Sequence, residues 1–436
     1  MSGARQHSSI KIGKHCGSPQ QRLTTAYSTF VDIKWIAYTL TIIGLLPFYA
    51  IINDFEIEPT PSRRLITALY TNSLRALYLL LAIANTYLLF SPISHTSYFM
   101  FGSVDNINMA LHILLSILCF ITITLVCAWQ SHDFLQLVNR LLRIDQQLQT
   151  LTSVKARLSN DCAFYRRYLM LLCIFIVLTF QPFDWSENVS TSSVLLLLFY
   201  LIENIISNCF IIFIAVLCHL LTMRFRYLNV YAKSFTLAEA EQRQCRDRQL
   251  NPTVFYVILP EERQRGAHAE NPFISASSFI YRTHYELLKI FKELNEFVGP
   301  ALMIYFVYIF YVVSAAIYFM AAIAKGKISD MFTVWHVASL YLHISLVALI
   351  SRCCSTLTRE AHQMSAILSN IYGRNEKCRK VTDTFLTTNL KLDIQFTACK
   401  LFTIDNSTLF KLSCAVTTYL AILRQFKQLE SSKSGK

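Results

Sequence analysis

Thr397 to Phe426 reads TACKLFTIDNSTLFKLSCAVTTYLAILRQF, and its second half, Leu409 to Phe426, is an apolar run of bilayer-crossing length. Lys411, Ser413, Cys414, Thr417, Thr418, Tyr419, Arg424 and Gln425 interrupt the run. At 3.6 residues per turn, Cys414, Thr418, Ala421, Ile422 and Gln425 fall on one helix face. Polar groups inside a membrane segment face protein or water rather than lipid. Two readings follow: a helix that lines an aqueous pore, or one whose Thr and Gln side chains bond to neighbouring helices.

The surrounding composition belongs to a polytopic membrane protein. Of 436 residues, 54% are hydrophobic and 15% charged, with a mean hydropathy of +0.40; an ordinary soluble chain is about a quarter charged. The first thirty residues are polar and basic and lack the apolar core of a signal peptide, so the first hydrophobic segments are expected to target the chain. Apolar runs predict spans at Leu69 to Phe90, Asn106 to Trp129, Phe164 to Phe183 and Val194 to His219. Others follow at Pro300 to Ala324, Phe332 to Ile350 and Leu409 to Phe426. Each is roughly 18 to 26 residues long. Ile36 to Ile52 carries Gly44 and Pro47 and reads as a short or partly embedded helix, or a further span.

Loop charge orients the chain. Arg140, Arg143, Lys155 and Arg157 lie between the second and third spans; Arg374, Lys377, Arg379 and Lys380 lie between the sixth and seventh. The loops 91–105 and 184–193 carry no Lys or Arg. Positive-inside bias puts the amino terminus in the cytoplasm, and seven crossings leave the carboxyl terminus outside. That arrangement inverts a seven-span G-protein-coupled receptor. The net charge of +13 is then a topology signal, and no nucleic-acid partner is read from it. The sequon at Asn188 falls in an external loop and is a candidate glycosylation site, whereas that at Asn406 sits at the cytoplasmic mouth.

The polar connections also carry helical periodicity. Phe134, Leu135, Val138, Leu141, Leu142 and Leu148 recur at helical spacing, as do Leu287, Leu288, Phe291, Leu294 and Val298. Membrane helices are therefore expected to run on into a cytosolic anchor bundle, with residues 382–403 as a further helical contributor; separate helices on the membrane surface are the alternative. The fold class expected is all-α. Its parts are an amino-terminal segment 1–68, a six-helix bundle 69–350, anchor helices 351–408, and the last helix with its tail, 409–436.

No hydrolase, nucleotide-binding or zinc-protease motif occurs, and the 13 cysteines show no metal-ligand spacing. Neither cofactor nor metal is expected. A membrane-embedded enzyme with His336 or His343 as base lacks an identifiable catalytic partner. Polar and aromatic residues in the outer halves of the spans are the candidates for ligand contact: Glu203, Asn204, Tyr311, Tyr318, Trp335 and His336. Glu203 leads, because a carboxylate inside a membrane segment marks a functional site by default.

Thr418-Tyr419 followed by Gln425-Phe426 resembles the carboxy-terminal TY-five-residues-QF signature of insect gustatory receptors. Thr397 to Asp405 is similar to the segment preceding it in that family, and Gly44-Leu45-Leu46-Pro47-Phe48 resembles its GLxPF element. The resemblance implies a gustatory chemoreceptor at the plasma membrane. It would be a ligand-gated, nonselective cation channel opened by a small-molecule tastant. It also implies a homo- or hetero-tetramer in membrane lipid, with Tyr419 as a signature residue and Thr418, Ile422, Gln425 and Phe426 at the pore and gate. Arg424 departs from the pattern, which is apolar before Gln, and Leu420 stands where sugar-responsive members carry an acidic residue. An epitope at the amino terminus should be inaccessible to antibody in intact cells and one at the carboxyl terminus accessible; the reverse would invert the assigned topology.

Overall fold

The computed structural model describes residues 38–46, 61–90, 103–151, 163–180, 191–247, 272–323, 330–372 and 394–434. Helix dominates throughout. In chain order the helices are α1 (Pro61–Phe90), α2 (Ser103–Trp129), α3 (Ser131–Leu151), α4 (Ala163–Phe180), α5 (Thr191–Asp247), α6 (Pro272–Ile323) and α7 (Asp330–Tyr372). Two short strands, β1 (Thr397–Ala398) and β2 (Phe402–Thr403), precede the last helix, α8 (Thr408–Ser434). By length and composition, five stretches of the described helices can cross a membrane: Leu65–Tyr87, Ala110–Trp129, Leu198–Ser234, Phe279–Tyr318 and His336–Met364. The predicted segments Phe164 to Phe183 and Leu409 to Phe426 correspond to α4 and α8. In α8 the polar interruptions hold the mean hydropathy below that of the other five.

The central helix is α5. From Ile206 to Leu221 nearly every side chain is buried, against α7 above all. A helix apolar on all sides is a core helix. The expected continuation of membrane helices is present: α5, α6 and α7 are 57, 52 and 43 residues long. Phe134, Val138, Leu141 and Leu148 of α3 are buried, as are Leu287, Leu288, Phe291, Leu294 and Val298 of α6. Arg140 ties α3 to Glu293 of α6 through both guanidinium nitrogens. Arg226 and Asn229 of α5 converge on Glu360 of α7.

The fifth span, which starts at Pro300, is the upper part of a longer helix, as the periodicity of 287–298 predicts: α6 runs through Pro300 from Pro272. Proline there leaves one i−4 carbonyl without its bond, a local loss that the packing on both sides outweighs. The adjacent Gly299 serves a close approach, since a Cβ there would stand 3.3 Å from the backbone nitrogen of Cys399. One expectation is corrected: 397–403 is not helical. It is an antiparallel hairpin, Thr397 opposite Thr403 and Ala398 opposite Phe402, and 382–393 lie outside the described residues. Cys399 and Lys400 take φ of 51° and 61°, and Leu401 N–H donates to Ala398 O at 2.9 Å. The turn thus has the left-handed geometry that suits a two-stranded ribbon. Asn295 of α6 pairs with Thr397 like another strand: its Oδ1 accepts the Thr397 N–H at 2.9 Å and its Nδ2 donates to Oγ1 at 3.3 Å.

The GLLPF element has a physical explanation up to Leu46; Pro47 and Phe48 lie outside the described residues. Residues 38–42 form a helical turn that ends at Gly44, φ +73°. Leu45 N–H donates to Leu40 O (2.9 Å) and Gly44 N–H to Thr41 O (3.0 Å), the paired bonds of a Schellman cap, with Leu40 and Leu45 both buried. Side chains of α1 then take the carbonyls in succession. Tyr70 donates to Ile42 O (2.7 Å), Tyr78 to Ile43 O (3.0 Å), and buried Arg75 to Gly44 O (3.1 Å) and Leu45 O (2.6 Å). Arg75 also reaches Cys127 O of α2 at 3.3 Å. A charged side chain inside a span is stable here because backbone carbonyls surround it.

Arg75→Met should destabilise the protein by about 2–4 kcal/mol, because it leaves carbonyls buried without donors. Gly44→Ala should cost about 1–3 kcal/mol, since a Cβ at positive φ would also lie 2.9 Å from Leu74 Cβ. Both are read as lowered melting temperature of the purified protein; unchanged melting would mean that the turn is not held this way.

Candidate functional site

Glu203 anchors a buried polar cluster at the meeting of α2, α5, α6 and α7. Position in the helices brings it about: Ser116, Glu203 and His343 each lie about three and a half turns in from the first residue of their helix. These three helices start at one end of the bundle, and α6 ends there. Glu203 is fully buried, and the Ser116 hydroxyl donates to its Oε2. Its neighbour Asn204 donates to Tyr200 O at 2.9 Å. On α7, His343 Nδ1 meets Ser339 O at 2.7 Å, which makes that nitrogen the protonated one.

Aromatic rings extend this cluster to the last helix. The His112 ring lies nearly parallel to Tyr308 (centroids 6.0 Å, 12°) and to Tyr311 (6.4 Å, 19°). His343 meets Tyr308 edge-on at 6.2 Å. Tyr311 in turn accepts a hydrogen bond from the Tyr419 hydroxyl at 3.3 Å, their rings 5.9 Å apart, and Phe310 packs edge-on against Tyr419 at 5.6 Å. A continuous set of contacts thus leads from Glu203's neighbours to the signature tyrosine of α8.

α8 docks by one stripe. Val416 and Leu423 are buried, and Leu409, Leu412 and Leu420 pack against the core. Thr418 and Gln425 sit roughly 160–180° around the helix from Val416, and both are exposed in the protomer. Ile422 (44%) and Phe426 (57%) are exposed as well. Arg424 stands about 80° from the docked stripe, on a flank, and is likewise exposed. At the start of the helix, Asp405 Oδ1 accepts from the Ser407 N–H (3.0 Å) and hydroxyl (2.6 Å), and Thr408 Oγ1 accepts the Asp405 N–H (2.9 Å). The Ser407 hydroxyl bond, with Lys411 Nζ 3.5 Å away, lowers the Asp405 pKa.

The candidate ligand residues do not all converge. Glu203 and Asn204 belong to the buried cluster, and Tyr311 joins it to α8. Tyr318 lies two turns further along α6, where its hydroxyl accepts from Lys427 Nζ at 2.8 Å and its ring faces that ammonium at 5.0 Å. His336 is half-buried; the Trp335 side chain and Asn188 lie outside the described residues. Sequence reasoning passed over Ser116 and Tyr308. Tyr308 stands three residues before Tyr311 and so shares a helix face with a residue that drew attention, whereas Ser116 had no such neighbour.

The match to known proteins now gives the arrangement a family. Residues 33–430 match the 7tm Chemosensory receptor family model. The chain belongs to that family. It is similar to the gustatory and pheromone receptor 32a of Drosophila melanogaster, 34% identical over 418 residues, covering 93% of this chain and 87% of that one. Gustatory receptor 68a of the same fly is 27% identical over 348 residues, 76% of this chain and 79% of that one. Among solved structures, the insect olfactory receptor OR5 from Machilis hrabei has the same fold, with a TM-score of 0.58 at 14% identity over 92% of this chain and 99% of that one. The same receptor matches equally in its complex with eugenol. The chain is thus a multi-pass plasma-membrane chemoreceptor of the insect gustatory receptor family, not an enzyme.

Tyr419→Phe and Tyr311→Phe each remove the one Tyr419–Tyr311 hydroxyl contact between α6 and α8. Each should weaken docking of the last helix by about 0.5–1.5 kcal/mol, and the double variant should add almost nothing to either single one. Melting temperatures of the four proteins test this; simple additivity would show that the two hydroxyls act independently.

Proposed function

We propose that this chemoreceptor is a ligand-gated, nonselective cation channel opened by a small extracellular tastant. Four copies, identical or mixed with other gustatory receptor subunits, surround an axis that α8 lines. The observation that carries this is the split character of α8: its apolar stripe is docked on α6 and α7, and the opposite face presents Thr418 and Gln425 outward. A polar face directed away from its own protomer is costly against lipid and favourable against water. Gln425 then offers amide oxygens to hydrated cations, and Ile422 or Phe426 forms a constriction that closes by dewetting. Arg424, on the flank, faces a neighbouring subunit or the outer vestibule rather than the axis.

The chain crosses the bilayer seven times in this reading, α4 and α8 included, with the amino terminus in the cytoplasm, the carboxyl terminus outside and Asn188 available for glycosylation. The lower parts of α3, α5, α6 and α7 form the cytosolic anchor through which subunits meet. The Glu203 cluster takes the tastant together with His336 and Trp335 nearer the outer ends. Ligand occupancy favours the arrangement of α6 that moves Tyr419, and with it the pore helix. The name of the solved olfactory receptor complex, with eugenol bound, agrees with a small organic ligand for this architecture.

Expressed in cells and challenged with a tastant panel, the protein should pass cation current without added G protein. Gln425→Ala should change unitary conductance or relative permeability by about twofold or more and leave the half-maximal ligand concentration nearly unchanged. Currents that require a G protein, or a Gln425→Ala change confined to ligand sensitivity, would overturn the channel reading and favour a receptor acting through another effector.

A further inference from the structure

Glu203 is a carboxylate deep in an apolar bundle, and its surroundings are unusual in their balance of donors and acceptors. Ser116 serves Oε2 and the Tyr308 hydroxyl lies near the same carboxyl, whereas Oε1 is buried and makes no close hydrogen bond among the described residues. None of the ion pairs among the described residues involves Glu203; Arg140–Glu293 and Arg226–Glu360 lie toward the other end of the bundle. On the same helix, Asn204 Oδ1 is a buried acceptor without a partner, Asn208 leaves both its amide oxygen and its amide nitrogen unpaired, and the Tyr305 hydroxyl of α6 is likewise unpaired. Tyr200 and Tyr308 interact electrostatically with Glu203, and Tyr308 carries the stacked His112 ring. An isolated buried carboxylate is among the most costly groups a fold can hold.

A buried carboxylate without a counter-charge among the described residues favours a cation. Oxygen acceptors together with tyrosine rings are the chemistry that recognises an ammonium group: the carboxylate supplies charge, amide oxygens take N–H bonds, and aromatic rings attract a cation through their quadrupoles. We propose that the Glu203 cluster selects an organic cation, a protonated or quaternary amine, paired with the Glu203 carboxylate and flanked by Tyr200 and Tyr308. The inference rests on the chemoreceptor reading of this site and narrows it to one ligand class. A sugar or a neutral hydrocarbon would leave the carboxylate without a counter-charge.

The test uses the purified full chain in lipid nanodiscs and measures binding by thermal unfolding, so it does not depend on current. Benzyltrimethylammonium is the probe, and benzyl alcohol its uncharged comparison. The cation should raise the melting temperature by about 3 °C at concentrations well above its dissociation constant, and the alcohol should raise it by less than a third of that. Glu203→Gln should abolish the shift and melt, without ligand, no lower than the wild-type chain, because an unpaired buried charge has gone while Ser116 keeps an acceptor. Glu203→Asp should retain a reduced shift. The proposal is overturned by no shift with the cation, by equal shifts with the alcohol, or by a shift that survives Glu203→Gln. Unliganded Glu203→Gln melting far below wild type would likewise overturn it and make the carboxylate a structural group. Absence of current alone, with the cation shift intact, would instead count against the channel reading.

Discussion

Hydrocarbon offers a polar group no hydrogen-bond partner, so every polar atom within the spans must find one in the protein or turn toward water. That constraint organises this chain at three depths. At Arg75 it is met completely: the guanidinium takes carbonyls from the Gly44 turn and from α2, and the turn gains the donors its own helix end lacks. At Glu203 it is met halfway, by Ser116 on one oxygen. On α8 it is met by geometry, with the polar face turned away from the protomer. The first arrangement holds the fold, and the other two are where function is to be sought.

The long helices make these local solutions dependent on one another. Because α5, α6 and α7 are continuous, their upper parts are joined to lower parts where Arg140–Glu293 ties α6 to α3 and Arg226–Glu360 ties α5 to α7. The β-hairpin is the other link. Asn295 and Gly299 of α6 hold it closely, His362 of α7 meets Ile394 O at 3.0 Å, and the capping turn of α8 follows directly at Asp405. The last helix is thus held at its foot by the hairpin and at mid-height by Tyr419, both contacts reaching α6. A shift of α6 therefore reaches the last helix at its foot, through Tyr419, and through the Lys427–Tyr318 contact further along.

Much of the fold could be read from residue order, because span length and the 3.6-residue period are local properties. The helical nature of 134–148 and 287–298 followed from periodicity alone. The same periodicity carries α6 through Pro300, where packing on both sides outweighs the proline's local cost. The hairpin at 397–403 escaped notice because its turn uses Cys399 and Lys400 rather than the glycine or asparagine that announces such a turn. Of the candidate site, Glu203 was conspicuous as a charge in an apolar run. Its partner Ser116 was not, because a single hydroxyl in a span commonly satisfies itself on the preceding turn of its own helix.

By itself, then, the amino-acid order determined a multi-pass helical receptor, the family signature around Tyr419, and the facial division of the last helix. These depend on composition, spacing and motif, each contained within one segment. Only the tertiary structure decided that Arg75 closes on the Gly44 turn, that Ser116 reaches Glu203 from 87 residues away, and that Tyr419 meets Tyr311. Those pairings depend on which helices become neighbours and at what rotation. Both are settled by the packing of whole helix surfaces, which no single segment encodes.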